Sequence, residues 1–227
     1  MATQKNKQKQ VDVEETISKT ESFIVKNQRM IISAFVAVIV VIAGGFSYKH
    51  YITDPQEKMA AEAIFRGEAY LGQDNFEKAL NGDSIGYMGF IKIADEFSGT
   101  KSANLAKAYA GICNAQLGNY KEAIDLLSDF SASDEMISPA TIGLMGDCYV
   151  NLNKLDEGLD AYLKAADKAD NAAISPVFLK KAGLLYEKLG KFAEAVETYT
   201  TIKNDYFKSP LAGDMDKYIE RATLLKK

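Results

Sequence analysis

The chain has 227 residues, 27 Lys or Arg against 31 Asp or Glu for a net charge of −4, and an apolar share of 47% that suffices for a sizeable core. One His and two Cys leave no material for a histidine-rich metal site. The charge is uneven, with 6 Lys or Arg and 4 acids in the first 48 residues and 21 against 27 thereafter, which argues against nucleic acid as a partner of the larger part.

Residues 1–10 are polar and carry Lys5, Lys7 and Lys9, too little apolar surface to repay ordering. From Val11 onward Val13, Ile17 and Ile24 fall near one helical face, with Asp12, Glu14, Glu15, Lys19 and Glu21 on the others. This suits either an interfacial helix or a solvated one. Residues 1–29 therefore read as a tail. Met30 to Tyr48 is an uncharged run of nineteen residues, about 28 Å as a helix and close to the thickness of a bilayer core. Its ten Val, Ile or Phe contribute roughly −3 to −6 kcal/mol to insertion. The small residues Ala43-Gly44-Gly45 would also suit a cleavable signal peptide. The length of the apolar run and the acids in the long preceding region favour a signal anchor. Lys and Arg are balanced close to the span, and the six on the tail tip the expected orientation to tail in the cytoplasm and the rest outside it. Ser33, Ala37 and Gly44 share a face that could pack on another membrane helix.

Every proline follows an Asp or Ser, at Asp54-Pro55, Ser138-Pro139, Ser175-Pro176 and Ser209-Pro210. A capping residue followed by proline predicts four helix starts. The stretch 49–103 holds an irregular first unit, with Gly67, Tyr70, Phe76 and Ala79 around a turn at Gly72-Gln73-Asp74-Asn75. Its second helix is expected to break at Asn81-Gly82-Asp83 and to resume from Ile85 to Phe97 with Tyr87, Phe90, Ile91 and Ala94 facing inward. The break lacks the spaced carboxylates of a calcium loop and the Lys of a phosphate loop, so it reads as an insertion. Beyond it a turn pattern recurs, at Gly118-Asn119-Tyr120, Asn153-Lys154-Leu155 and Gly190-Lys191-Phe192, with intervals of 35 and 37 residues. Ahead of each turn stand Gly111, Gly146 and Gly183, and behind it Ala123, Gly158 and Ala195, then Leu127, Tyr162 and Tyr199. Small residues on both helices of a pair permit close approach, and a larger side chain there would be overpacked.

In these residues the chain resembles the tetratricopeptide repeat (TPR) family over residues 104–209, in three units. It departs from the pattern early in the first helices, where Lys107, Ile142 and Leu179 stand in place of an aromatic. The resemblance implies an α-solenoid with residues 210–227 as the capping helix, whose apolar face is Leu211, Met215, Tyr218, Ile219, Ala222 and Leu225. It also implies a concave groove lined by the first helices, which falls on Ala108, Ile112, Gln116, Asp147, Asn151, Lys180, Leu184 and Glu187. A plain solvated surface is the other reading of those positions. Cys113 and Cys148 occupy equivalent places in adjacent repeats, whose axes should lie about 8–10 Å apart, so they read as separate packed thiols rather than as a redox pair.

No residue set carries catalysis. His50 lies at the membrane boundary without partners for a relay, and no cofactor or metal is expected. The layout of short basic tail, signal anchor and external TPR stack is similar to the single-pass ancillary subunit of the bacterial Sec translocon, over nearly the whole length. That likeness implies a bacterial inner-membrane protein with its repeats in the periplasm, whose partners are the translocon channel, periplasmic chaperones and emerging polypeptides. A TPR scaffold for envelope or cell-wall assembly, a stand-alone holdase chaperone, and cytosol-facing repeats like those of mitochondrial import receptors share the same layout. Self-association is left open.

Overall fold

The computed structural model describes residues 25–226 with Ser133 and Glu135 excepted, and among the described residues there are helices and no strands. The chain divides into two compact units, residues 1–55 and 56–227. The tail and the amphipathic run expected before residue 25 lie outside the described residues. In the first unit α1 (Gln28–Tyr48) is one unbroken helix with no buried residue, long and apolar enough to cross a membrane. It contains the whole of the expected span, and a π-helical turn, Lys49–Thr53, follows.

The second unit holds all but the first two residues of α2 (Asp54–Leu71), then α3 (Phe76–Asn81), α4 (Phe90–Glu96), α5 (Lys101–Gln116), α6 (Tyr120–Ser128), α7 (Ile137–Asn151), α8 (Leu155–Ala169), α9 (Ser175–Lys188), α10 (Phe192–Asp205) and α11 (Met215–Leu225). Helices α5/α6, α7/α8 and α9/α10 form the three regular pairs and α11 packs on α10, while in the irregular first unit Ala60 and Ile64 of α2 share a core with Ala79 and Leu80 of α3 and Phe90 and Ile93 of α4. The result is a TPR-like solenoid.

One turn chemistry builds all four hairpins. Each first helix ends at a residue with positive φ, namely Asp74 (53°), Gly118 (83°), Asn153 (57°) and Gly190 (73°). The amide that follows then reaches back to a carbonyl five residues earlier. Asn75 N–H donates to Tyr70 O, Asn119 to Asn114 O, Lys154 to Tyr149 O and Lys191 to Tyr186 O, all at 2.9 Å. A left-handed residue that turns the chain so that orphan carbonyls are satisfied is a helix C-cap, which glycine and asparagine adopt at least cost. The irregular unit therefore starts its hairpin as the regular ones do.

Close approach within the pairs is set by the glycines of the first helices. A Cβ on Gly111 would lie 2.6 Å from Leu127 Cγ, and one on Gly146 would lie 2.7 Å from Tyr162 Cδ1. On Gly183 it would lie 2.7 Å from Tyr199 Cζ, and on Gly67 2.5 Å from Phe90 Cζ. Leu127, Tyr162 and Tyr199 are buried in these notches. Each buried side chain of that size contributes about 1.5–3 kcal/mol.

Three expectations need correction. The second helix of the irregular unit resumes at Phe90, not Ile85. Gly82, Gly86 and Gly89 hold φ of 94°, 103° and 87°, and Asp83 Oδ1 accepts from the amides of Ile85 (2.8 Å) and Tyr87 (2.9 Å). Those amides are committed to a loop, so the helix starts later and turns Ile93 and Phe97 inward beside Phe90 and Ala94, leaving Ile91 outside. Tyr87 stays buried from the loop itself, with its hydroxyl donating to Ala79 O at 2.9 Å. The second correction concerns Pro210, which sits in a turn rather than at a helix start. Leu211 N–H donates to Ser209 Oγ at 3.3 Å, a 3-10 turn covers Ala212–Asp214, and α11 starts at Met215. That shift leaves Leu225 exposed while Met215 and Ala222 are buried.

The third correction concerns the caps. Ser138 and Ser175 lie inside the first turns of their helices, and the amide acceptors stand four residues upstream. Asp134 Oδ1 takes the amides of Met136 (2.9 Å) and Ile137, and Asn171 Oδ1 takes those of Ala173 (3.0 Å) and Ile174 (2.9 Å). The prolines in those first turns, Pro139 and Pro176, are fully buried.

Candidate protein-interaction groove

The first helices α5, α7 and α9 stand side by side, and the candidate residues can be placed one junction at a time. At the α5–α7 junction Ala108 and Ile112 line an apolar cleft of about 500 Å³, together with Leu105, Tyr109, Met136, Ile137, Ala140 and Leu144. Met136 is 68% exposed and Ile137 50%. Large apolar side chains left open along a cleft are what a partner's apolar group would cover. Gln116 lies exposed near the end of α5.

The α7–α9 junction is polar. Asp147 accepts from Tyr162 Oη at 2.6 Å and from Lys181 Nζ at 2.7 Å at both of its oxygens. Asn151 donates its side-chain amide to Asp147 O at 2.9 Å. Leu184 is 41% exposed and borders a smaller cleft of about 250 Å³ with Val150, Tyr162, Lys181, Leu185 and Lys188. At the α9–α11 junction Glu187 accepts from Tyr199 Oη at 2.7 Å and from Arg221 Nε at 3.0 Å and Nη2 at 2.8 Å. Lys180 Nζ lies 4.9 Å from the centre of the Tyr218 ring. Asp147 and Glu187 are thus committed to holding the stack, whereas the partly exposed Ile112 and Leu184 are open to solvent or to a partner, and Ala108 is buried as cleft wall. The same bracing occurs once more upstream, where Tyr109 Oη donates to Glu68 Oε1 at 2.7 Å. Of the junctions α2–α5, α5–α7, α7–α9 and α9–α11, only α5–α7 lacks such a polar brace among the described residues, and it is the one that holds the apolar cleft.

Several groove residues escaped the sequence reading. Leu105 and Tyr109 on α5, and Ile137 and Leu144 on α7, recur at helical spacing beside the positions that were named, so the periodicity could have found them. Lys181, Lys188 and the capping helix's Tyr218 and Arg221 carried no local signal, because their role depends on which helix lies next. On the outer face another cleft, also about 500 Å³, opens between Phe130, Ile142, Met145, Tyr149, Asp160 and Lys164, where α6 stops after nine residues. On α1, Ser33 donates to Met30 O at 2.9 Å, and Ser33, Ala37 and Gly44 are all exposed.

Acid–base chemistry follows the packing. Burial pushes the Cys113 thiol up to about 12 and the Cys148 thiol up to about 11, so both are held protonated and non-nucleophilic. Both are free thiols. Burial and then the Glu68 carboxylate push Tyr109 up to about 12, and burial and then their carboxylate acceptors raise Tyr162 and Tyr199 further. His50 Nδ1 lies 3.8 Å from Asp54 Oδ2, with both side chains largely exposed. Among the described residues no group of three or more His, Cys, Asp or Glu is placed to hold a metal ion.

Stacked antiparallel helix pairs with an open groove along the first helices define a helical-repeat scaffold of the kind that binds other proteins. The tetratricopeptide repeat family profile matches residues 179–209, most of the α9/α10 pair, and with the fold it supports a TPR protein. Repeats of this family are generally non-enzymatic scaffolds. Among solved structures, the nearly identical TPR-like repeats of a Podosopora anserina candidate kinesin light chain superpose with a TM-score of 0.54 at 12% identity, over 75% of this chain and 87% of that one. MamA gives a TM-score of 0.49 at 17% identity, over 70% and 94% respectively. At 12% identity the first of these likenesses is one of fold. No curated protein matches the sequence.

Proposed function

We propose that the protein is a membrane-anchored protein–protein interaction module. Its α1 crosses the bacterial inner membrane with the tail in the cytoplasm, and its repeats in the periplasm hold a segment of a partner polypeptide in the groove along α5, α7 and α9. The observation that carries the binding role is the α5–α7 cleft, where Met136 and Ile137 stay exposed over apolar walls. Support for the anchor comes from α1, an apolar helix with no buried residue. The finer reading is an accessory of the Sec translocation channel that links it to periplasmic chaperones or emerging chains, and it rests on the layout of tail, anchor and repeats. The module works by binding, without bond-making.

Photo-crosslinking in intact membranes tests this, with probes at Ser33 and Ala37 on α1 and at Ile112 and Lys180 in the groove, and identification of adducts by mass spectrometry. Channel adducts from α1 and chaperone or nascent-chain adducts from the groove are expected. Adducts confined to cell-wall enzymes would replace the translocon reading by an envelope scaffold. Protease added outside the cytoplasmic membrane should degrade the repeats and spare the tail, and the reverse pattern would invert the orientation.

A further inference from the structure

The groove is not uniform in charge, and the difference identifies what it accepts. Its α5–α7 part is uncharged, with Ala108, Ile112, Ile137 and Leu144 among the cleft walls. Its part around α9 gathers Lys181 and Lys188 on the α7 side and Lys180, Lys217 and Arg221 on the α11 side, in a chain whose acids outnumber its bases from residue 49 onward. Three of those five cations are matched, Lys181 by Asp147 at 2.7 Å, Arg221 by Glu187 at 2.8 Å and Lys217 by Asp214 at 3.0 Å. Lys180 and Lys188 have no carboxylate in ion-pair reach among the described residues. Lys180, Lys217 and Arg221 also crowd one aromatic ring, at 4.9, 5.4 and 4.9 Å from the centre of Tyr218. Lys217 and Arg221 already have their carboxylates, so at this ring Lys180 is the cation left without one, and an anion placed there would meet it. The opposite end of the groove carries Glu68, bonded to Tyr109 but without a cation, so an acidic group is disfavoured on that side.

Resting on the groove reading above, we infer that the bound segment is a polypeptide with an apolar side chain for the α5–α7 cleft and, offset from it, acidic side chains that meet Lys180 and Lys188. Neighbouring helix axes are about 8–10 Å apart. The acid therefore lies about 10–20 Å beyond the apolar anchor, or about 3–6 residues of extended chain. The complementarity also fixes polarity, since the acidic end lies toward α11 and away from α2. Partners with a basic motif at that offset are rejected by the same charges.

The test uses the full-length protein in neutral-detergent micelles and fluorescence anisotropy with three labelled peptides of equal length, acetylated and amidated so that only side chains carry charge. One has a Leu pair followed four residues later by an Asp pair. The second replaces the Asp pair by Lys, and the third replaces the Leu pair by Ser. The Leu–Asp peptide is expected to bind at least about tenfold more tightly than either of the others, with affinity falling as salt rises. Ile112→Glu should abolish its binding. Lys180→Glu combined with Lys188→Glu should exchange the preference in favour of the Leu–Lys peptide, a gain that a misfolded variant cannot show. Equal binding of the Leu–Asp and Leu–Lys peptides, both lost in Ile112→Glu, would overturn the charge inference and leave the groove reading intact. Failure of all three peptides to bind would overturn both.

Discussion

Replacing Gly183 by alanine adds one methyl group at the tightest point of the last hairpin. The new Cβ would stand 2.7 Å from Tyr199 Cζ and 2.9 Å from Cδ1, and Tyr199 is fully buried, so its ring has nowhere to retreat. Overpacking of this kind costs about 1–3 kcal/mol. A shifted ring also strains the 2.7 Å bond from its hydroxyl to Glu187, a further loss of about 1 kcal/mol or more. Against this, alanine is better than glycine inside a helix by about 1 kcal/mol. The net expectation is a destabilisation of about 1–3 kcal/mol. Gly213→Ala is the control, because its Cβ meets nothing within 4 Å, and it should be neutral or stabilise by up to about 1 kcal/mol. Urea unfolding of the full chain in detergent, followed by helical circular dichroism, gives the magnitude. Hydrogen exchange gives the place, since a stack coupled only to its neighbours should loosen in α9–α11 before α5–α6. A Gly183→Ala protein as stable as the parent, or loosened equally throughout, would refute the notch argument.

Arg221→Ala removes two bonds to Glu187, and as the arginine is about half exposed the cost should be only about 1 kcal/mol, seen as faster exchange in α11. Glu187→Ala takes away the acceptor of Tyr199 as well and should cost more, about 1–3 kcal/mol. Equal effects of the two would show that the Tyr199 bond contributes nothing. Cys113 and Cys148, at 0% and 1% exposure, should resist maleimide in the folded protein and react fully once it is unfolded. Alkali should unfold the stack. The folded-state values of both thiols and of Tyr109 lie above the ordinary 9.0 and 10.0, so the folded form keeps protons that the unfolded chain has lost. Their contribution is complete below pH 9, declines as the pH climbs from there, and is gone by about 12. The expected observation is tyrosinate absorbance that rises together with loss of helical signal, and tyrosinate forming in a fully helical protein would contradict it.

The regular repeats were legible because their information is local. A left-handed turn residue, a glycine about two helical turns earlier and a bulky residue after it are read from short spacings, and the structure puts Gly146 against Tyr162 and Gly183 against Tyr199 as that reading requires. Between repeats the sequence was opaque. Gly143 lies in van der Waals contact range of Phe178 on the next first helix, and nothing in the spacing of those two residues announces it. The same holds for Lys181 and Arg221, whose partners sit 34 residues away. The misplaced starts at Ile85 and Pro210 share a different cause. In both, the backbone itself leaves α-helical geometry, through positive φ at Gly86 and Gly89 ahead of α4 and through the 3-10 turn Ala212–Asp214 ahead of α11. Periodicity detects an apolar face and is blind to such turns.

The position of the cleft follows from one residue choice in each repeat. In the first unit the residue after the notch glycine is Glu68, which reaches Tyr109 on the next first helix, and in the middle repeat it is Asp147, which reaches Lys181. In the last repeat that position is Leu184, but Glu187 a turn later takes over and holds Arg221. After Gly111 the corresponding residue is Ile112, and no acid follows it on α5. A brace there would fill the space between α5 and α7 with a bonded polar pair. Without one, the walls remain apolar and the cleft remains open. A carboxylate at position 112 would therefore do more than repel a partner's apolar side chain, since it would lie where its equivalents elsewhere in the stack tie one repeat to the next. The repeat that gives up this polar tie is the one left able to hold something else.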